Sequence, residues 1–139
     1  MDIGLIACTK SKKNHRYKAI EMYSPSALFR KASSYAIKKY DRVAILSAKY
    51  GLLLPEDEIN PYELTLKKMS KKERNEWAIR VFEQMKRRLN LSKGDRAFFH
   101  AGKEYRESLI PKLIEVGVEC YVPLEVLSFG KQLEWYDKH

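Results

Sequence analysis

The sequence predicts an α/β fold of three layers, in which a mainly parallel four-stranded sheet carries helices on both faces. Short apolar runs alternate along the chain with segments of helical periodicity, a pattern typical of parallel strands joined by right-handed crossovers. The chain has 139 residues, the length of one domain with one core, so we expect a single domain over residues 1–139. Hydrophobic residues make up 45% of the chain and charged residues 32%, which excludes a disordered protein.

The first part of the chain contains two predicted strands and one helix. The apolar run from Ile3 to Cys8 is short and contains a glycine, which favours a buried strand. Ser24 and Pro25 are an N-cap residue and a first-turn proline, and they predict a helix over residues 25–40. The segment from Arg42 to Ala48 is apolar enough to be a parallel strand covered on both faces.

The connection from Leu46 to Tyr62 reads LSAKYGLLLPEDEINPY and shows neither a strand nor a helix period. Connections in compact domains are usually about 4–6 residues long, so a connection of this length indicates a functional loop. The alternative is a loop that only covers one edge of the sheet.

A long helix is predicted after this loop. Ser70 and Glu73 form a capping box, and apolar residues follow at spacings of three and four as far as Leu89. The opposite face of this helix is rich in lysine and arginine. Such a face is typical of a solvated helix, and contact with nucleic-acid phosphates is the alternative.

The last part of the chain repeats the alternation. RAFFHAG, from Arg96 to Gly102, predicts the third strand. Residues Glu104 to Val116 predict a helix that Pro111 kinks or restarts, because the proline ring removes a hydrogen-bond donor. Val118 to Pro123 is the fourth predicted strand, and Ser128 to Tyr136 is a short closing helix.

The chain is strongly basic, with 27 lysines and arginines against 18 aspartates and glutamates and a formal net charge of +9. This charge favours a nucleic-acid partner, DNA or RNA, and a solvated basic surface is the alternative. No apolar run approaches the roughly 20 residues that span a membrane, so no membrane partner is expected. At the amino terminus the charges follow the apolar stretch, which argues against a signal peptide and for a cytoplasmic protein.

The cysteine content predicts no metal site and no disulfide scaffold. Cys8 and Cys120 are the two cysteines, and they form no CxxC pair. The glycine pattern of a Walker loop is also absent, which argues against nucleotide hydrolysis of that type. We therefore expect neither a metal nor a cofactor, and the sequence leaves the oligomeric state open.

Side chains suited to catalysis collect at the predicted carboxyl ends of the strands, where open α/β sheets bind their ligands. Cys8 lies at such an end beside lysines that favour a nucleophilic thiolate, and simple packing is its alternative role. His100 is a candidate general acid or base, or else a structural histidine. Asp57 lies between Glu56 and Glu58, whose repulsion would raise its pKa and produce a general base; a solvated loop carboxylate is the alternative.

The same edge carries donors and aromatic rings that suit a nucleotide. Lysine and hydroxyl groups match phosphate oxygens, and loop tyrosines offer faces on which a splayed base can stack. Each of them has packing or solvation as its alternative role. The residues predicted to bind substrate or nucleic acid are Thr9, Lys10, Lys12, Ser47, Lys49, Tyr50, Gly51, Pro61, Tyr62, Gly102 and Tyr105. We expect one cleft to be lined by Cys8, Lys12, Ser47, Tyr50, Tyr62 and His100.

The segment LSAKYGLLLPEDEINPYELTL resembles the part of YaaA-type proteins in which a Leu-Ser-x-x-Tyr-Gly-Leu-Leu run leads through proline and acidic residues to a Pro-Tyr pair. The chain is also similar to a family of small uncharacterised bacterial, archaeal and phage domains. The shared pieces are CTKSK, the helix start at Tyr23 to Ser26, the long loop, AGKEYRESL and PLEVLSFGKQLEW, which together span nearly the full chain. The resemblance implies a three-layer fold related to uracil-DNA glycosylases. It also implies a nucleic-acid connection, since YaaA-type proteins are DNA-binding factors linked to peroxide stress.

A more distant likeness is to the core domain of archaeosine synthase, which adds lysine to a deazaguanine nitrile in transfer RNA. The Cys-Ser-x-x-Lys motif of that domain is similar to CTKSK, from Cys8 to Lys12, with threonine in place of serine. The Pro-Tyr that follows the lysine there, and a later Ser-x-Ser-His motif, are absent from this sequence. The likeness therefore stops at the first motif.

Three functions are consistent with these observations. The first is a nucleic-acid-interacting protein that recognises a base or nucleotide at the strand-end cleft, with lysines on phosphate and tyrosines shaping the pocket. The second is an enzyme that modifies or excises a nucleobase, with Cys8 as nucleophile or with Asp57 and His100 as acid and base. The third is a small module that binds a protein partner.

Overall fold

The computed structural model describes residues 1–139. Its strands are β1 (Asp2–Ala7), β2 (Tyr17–Lys18), β3 (Arg42–Ser47), β4 (Gly51–Leu53), β5 (Glu58–Ile59), β6 (Arg96–His100) and β7 (Glu119–Tyr121). Its helices are α1 (Ala19–Met22), α2 (Ala27–Lys39), α3 (Lys71–Arg88), α4 (Lys103–Arg106), α5 (Ile110–Glu115) and α6 (Phe129–Lys138), and a 3-10 turn covers Leu66–Lys68. None of the helices combines the length and the apolar character required to cross a membrane.

The main sheet is mixed and has five strands in the order β4-β3-β1-β6-β7. The central strand β1 pairs in parallel with β3 and β6, and β7 pairs in parallel with β6. These four parallel strands are the apolar runs described above. The prediction of an α/β fold with a mainly parallel sheet is therefore confirmed.

The prediction of four strands is wrong by one. The fifth strand, β4, lies inside the long loop and pairs antiparallel with β3, with Ser47 opposite Gly51 and Ile45 opposite Leu53. The reversal between them uses Gly51, whose φ of 78° glycine adopts without steric cost. A strand as short as β4 shows no readable alternation in sequence, so nothing in the pattern predicted it.

A second, two-stranded sheet pairs β2 with β5, with Tyr17 opposite Ile59. Next to it, the amide of Ala19 donates to the carbonyl oxygen of Asp57 at 2.7 Å. The far part of the long loop is thereby tied to the basic segment that follows β1. Backbone pairing thus holds the loop at two points, on β3 and on β2.

Helices cover both faces of the main sheet. Phe98 and His100 of β6 point toward α2 and α6, and the ring of Tyr40 stacks on Phe98 with 4.8 Å between centroids. Since side chains alternate along a strand, Ala97 and Phe99 point to the opposite face, where both are buried. Helix α3 packs against β4 and α5 against β7. The parallel strands therefore end at an edge framed by loops from both layers.

The helix boundaries follow the capping residues. Ser70 and Glu73 form the predicted capping box, with bonds of 3.0 and 3.1 Å between each side chain and the other's amide. Helix α2 is capped by Ser26, so it begins at Ala27, two residues later than predicted. The helix predicted over residues 104–116 is divided into α4 and α5, and Pro111 lies in the first turn of α5. The predicted restart at Pro111 is confirmed.

Candidate functional site

Seven side chains meet where β1 and β3 end. We call this group the strand-end cluster; it consists of Cys8, Lys12, Tyr23, Ser47, Tyr50, Tyr62 and Tyr105. The strands β1 and β3 are parallel neighbours, with Ala7 opposite Leu46. The residues that come next, Cys8 and Ser47, therefore emerge side by side at the edge of the sheet.

Tyr62 lies at the centre of the cluster. Its hydroxyl is 2.7 Å from Ser47 Oγ and 2.7 Å from the hydroxyl of Tyr23. Ser47 and Tyr23 are fully buried, so water cannot replace these hydrogen bonds unless the fold opens. Burial raises the pKa of Tyr23 and of Tyr62, because a phenolate would lose its hydration. Both phenols are therefore neutral hydrogen-bond donors at physiological pH.

Cys8 is held beside a second phenol. Its backbone amide donates to the carbonyl oxygen of Leu46 at 2.9 Å, which extends the β1 pairing and fixes the thiol at the strand end. The sulfur lies 3.1 Å from the hydroxyl of Tyr105, a residue of α4. Burial raises the pKa of Tyr105, so this hydroxyl also keeps its proton. The thiol thus has a neutral donor within hydrogen-bond distance.

Trp77 of α3 packs against the cluster. Its ring meets that of Tyr105 edge to face, with 5.8 Å between centroids. Its indole Nε1 donates to the backbone oxygen of Ser47 at 2.9 Å. The same side chain therefore positions both the phenol next to Cys8 and the end of β3.

Lys12 supplies the cation of the cluster. Its Nζ lies 4.7 Å from the ring centroid of Tyr62 and 5.9 Å from that of Tyr23, and it donates to the carbonyl oxygen of Lys10 at 3.2 Å. Burial lowers the pKa of Lys12, because the ammonium loses part of its hydration. The amine is thus held against aromatic rings, whose faces attract a cation.

The long loop enters the cluster through Tyr50 and Tyr62. The two rings meet edge to face with 5.6 Å between centroids. The amide of Tyr50 donates to Ser47 Oγ at 3.0 Å, and its hydroxyl lies 3.3 Å from the backbone nitrogen and oxygen of Asn60. One end of the loop is thereby bonded to the corner at Asn60, Pro61 and Tyr62.

The structure does not bring the predicted acid and base together, and Asp57 is bonded elsewhere. Its carboxylate accepts hydrogen bonds of 2.5 and 2.9 Å from Arg88 and one of 2.8 Å from the amide of Leu54. The hydrogen bond from Arg88 lowers the pKa of Asp57, whereas a general base required a raised pKa. Glu56 pairs separately with Lys18 at 2.9 Å, so the expected repulsion between the carboxylates is relieved.

His100 also lies outside the cluster. Its ring nitrogens are each 2.7 Å from a phenol, Nε2 from Tyr40 and Nδ1 from Tyr136, on the side of the sheet that faces α2 and α6. Burial lowers its pKa to about 4. With both nitrogens occupied, His100 is the structural histidine of the alternative interpretation, and it does not contact Asp57.

The remaining predicted residues border the cluster. The hydroxyl of Thr9 donates to the carbonyl oxygen of Ser11 at 3.2 Å, and Lys10 is exposed. The ammonium of Lys49 lies 5.4 Å from the ring centroid of Tyr50. Gly51 begins β4, Pro61 precedes Tyr62, and Gly102 is the N-cap residue of α4.

A groove of about 390 Å³ opens beside the cluster, on the side of Trp77. Its lining is partly apolar and partly charged, and includes Ala48, Lys49, Leu64, Met69, Trp77 and Arg80. A larger groove of about 470 Å³ lies elsewhere, between α2 and α6. No group of three or more His, Cys, Asp or Glu side chains is arranged to hold a metal ion.

Sequence reasoning missed Tyr23 and Trp77 as site residues. Tyr23 stands just before a helix N-cap and Trp77 lies on the apolar side of α3, so both matched a packing pattern. The available signal was chemical, since a buried Tyr or Trp needs a partner for its O–H or N–H. Here those partners are Tyr62 and the end of β3.

A protein-family model matches most of the chain. The model of a family of unknown function (DUF6884) matches residues 3–138, which include the whole strand-end cluster. No curated protein matches the chain.

Proposed function

This chain belongs to the family of unknown function DUF6884, and we propose that it is a nucleic-acid-interacting protein that recognises a base or nucleotide at the strand-end cluster. One observation carries the proposal. Five of the six side chains expected to line one cleft, all except His100, belong to this cluster. Four of them are predicted binding residues and the fifth, Cys8, is the predicted nucleophile, and their proximity is what a common ligand requires.

The charge around the cluster supports a phosphate-bearing ligand. Exposed lysines lie on four separate segments: the loop after β1, the turn between β3 and β4, the 3-10 turn and the start of α4. Phosphate contacts of this kind give affinity without sequence preference. These lysines are Lys10, Lys49, Lys67, Lys68 and Lys103.

The interior of the cluster supports recognition of a base. The amine of Lys12 and the hydroxyl of Tyr62 lie at one place, and the rings of Tyr50 and Tyr62 lie beside them. Bases are recognised by hydrogen bonds to their edges combined with stacking on aromatic side chains. The groove beside Trp77 offers space for the rest of a nucleotide.

The proposal includes a relationship to YaaA-type proteins and, at the level of fold, to uracil-DNA glycosylases. It is supported by the resemblance of the long loop, from Leu46 to Tyr62, to the YaaA-type segment, and by the position of that loop against the strand-end cluster. A shared fold does not establish a shared activity. The proposed function therefore depends on the cluster itself.

Fluorescence polarisation with labelled single-stranded DNA, duplex DNA, RNA and transfer RNA tests the proposal. We expect binding to at least one of them at low salt, and weaker binding as the salt concentration rises, because phosphate contacts release counterions. Lys12→Gln should weaken the binding by about tenfold, the value of one charge-assisted hydrogen bond. Lys72→Gln, on exposed α3, is the matched control and should change little. Absence of binding to every nucleic acid at low salt would overturn the proposal.

A second function is favoured by the pairing of Cys8 with Tyr105. A thiol 3.1 Å from a phenol and close to the amine of Lys12 suits an enzyme that modifies or excises a nucleobase, with Cys8 as nucleophile. Mass spectrometry of nucleosides after incubation with bulk transfer RNA and DNA would detect such activity. We expect Cys8→Ser to abolish it and Cys120→Ser to preserve it. Unchanged turnover in Cys8→Ser would remove the covalent mechanism and leave the binding proposal in place.

A further inference from the structure

A second basic surface lies between α2 and α6, outside the strand-end cluster. We call it the α2/α6 groove; it has a volume of about 470 Å³, and its cations are Arg30, Lys31, Lys38 and Lys39 of α2. Only one of the four, Lys31, is paired with a carboxylate, that of Asp137. The groove therefore keeps an excess of positive charge toward solvent.

The cations of this groove follow the axis of α2. Lys31 and Lys38 are two helical turns apart, which separates them by about 10 Å along the helix. This row is longer than one phosphate group, so a chain of phosphates can contact several of its cations at once. A polymer with regularly spaced negative charges matches this arrangement better than a single small anion does.

Aromatic rings lie among these cations. Tyr35 meets Trp135 and Tyr136 with 5.0 and 5.8 Å between ring centroids, and His139 stacks on Trp135 at 4.0 Å. Tyr35, Tyr136 and His139 themselves line the groove. Cations interleaved with ring faces are what proteins use to hold single-stranded nucleic acid, whose bases are free to stack.

The groove is linked to the strand-end cluster through Ser24. The Nη1 of Arg30 donates to the carbonyl oxygen of Ser24 at 2.6 Å, and Ser24 directly follows Tyr23. Tyr23 is bonded to Tyr62 at the centre of the cluster. Ser24 thus links a cation of the groove to a member of the strand-end cluster.

We propose that the α2/α6 groove binds the phosphate backbone of a single-stranded nucleic acid whose base is recognised in the strand-end cluster. The natural ligand is then a polymer, DNA or RNA, and not a free nucleotide. This inference rests on the proposed function of the cluster. Three features favour a single-stranded nucleic acid as the ligand: the positive charge of the groove, the length of its cation row and the aromatic rings beside it.

The test is polarisation binding with single-stranded oligonucleotides of about 4 and about 16 nucleotides, which bracket usual site sizes. The groove variant is Lys38→Gln/Lys39→Gln. The control is Lys72→Gln/Arg87→Gln, which removes the same charge from α3. We expect the groove variant to bind the longer strand about tenfold more weakly, with the slope of log affinity against log salt reduced by about 0.7 per lost contact. Its affinity for the shorter strand, and the affinities of the control, should change little.

Other outcomes separate this inference from the proposed function. Equal losses in the groove and control variants, or wild-type affinity in the groove variant, would overturn the inference. So would unchanged oligonucleotide binding accompanied by lost binding of polyglutamate or of phosphatidylserine vesicles, which would assign the groove to an acidic protein or a membrane. If Lys12→Gln weakens binding while the groove variant does not, the proposed function stands and only this inference fails. If the wild-type protein binds no strand at low salt, both fail.

Discussion

The hydroxyl of Tyr62 lies 2.7 Å from Oγ of Ser47, a residue 15 positions earlier in the chain. The contact joins the far end of the long loop to the end of β3. The same Oγ accepts a hydrogen bond from the amide of Tyr50, so one buried serine holds both sides of the loop. The shape of the candidate site therefore depends on a small network of buried hydroxyl groups.

Removing the Tyr62 hydroxyl should destabilise the protein. Tyr62→Phe leaves the buried hydroxyl of Tyr23 without its partner and leaves Ser47 Oγ with only the amide of Tyr50, which we expect to lower the free energy of unfolding by about 1–3 kcal/mol. Urea unfolding measures the change. The control is Tyr121→Phe, which removes a phenol that bonds an exposed carboxylate, that of Glu119, at 3.1 Å and should cost little. Equal effects of the two substitutions would contradict the network.

Protonation of His100 should weaken the fold in mild acid. Its pKa falls from 6.5 to about 4 on folding, so the unfolded chain binds more protons between these values and stability decreases as the pH falls through this window. The expected loss from this group is about 2 kcal/mol by pH 5 and about 3 kcal/mol by pH 4. Urea unfolding at several pH values measures it. The pKa of Asp57 is lowered from 3.8, so its stabilisation is lost only in stronger acid.

The His100→Gln variant is the control for this pH dependence. Its stability at neutral pH will be lower, because the bonds to Tyr40 and Tyr136 change. Its stability should, however, vary less than that of the wild type between pH 6.5 and 5. An identical slope in both proteins would show that another group titrates there.

Asp57 should matter for stability and not for binding or catalysis. Asp57→Asn removes the charge partner of Arg88, and because both side chains are partly exposed we expect a loss of about 1 kcal/mol. Oligonucleotide affinity should match that of the wild type. Glu56→Gln, which breaks the more exposed pair with Lys18, is the control for stability. Loss of nucleic-acid binding or turnover in well-folded Asp57→Asn would show that this carboxylate has a functional role after all.

Gly51 should tolerate no side chain. Gly51→Ala imposes a Cβ at a φ of 78° and against the side-chain oxygen of Gln84, which also accepts the amide of Leu52. We expect the substitution to lower the free energy of unfolding by about 1–3 kcal/mol, as measured by thermal unfolding, because it strains the turn that pairs β4 with β3. The control is Gly130→Ala in α6, where a Cβ meets nothing within 4 Å and where alanine is the better helix former. Equal melting temperatures of the two variants would contradict the requirement for glycine at position 51.

Local patterns predicted the elements of this fold well. Apolar runs revealed all four parallel strands, and Ser70, Glu73 and Pro111 marked helix boundaries, because caps and prolines act through neighbouring backbone groups. The short strands β4 and β5 carried no pattern of their own. They form because β3 and β2 supply partners for their backbone groups, which is a contact between distant segments.

The sequence by itself determined the α/β class, the four strand ends and most of the residues of the strand-end cluster, because parallel strands deliver the residues that follow them to one edge. Only the tertiary structure decided which polar side chains meet. Tyr23 bonds to Tyr62 in the cluster. Asp57 bonds to Arg88 instead, and each ring nitrogen of His100 bonds to a phenol. A short sequence pattern shows the chemistry of a side chain, but its pKa and its role depend on partners that folding brings from elsewhere in the chain.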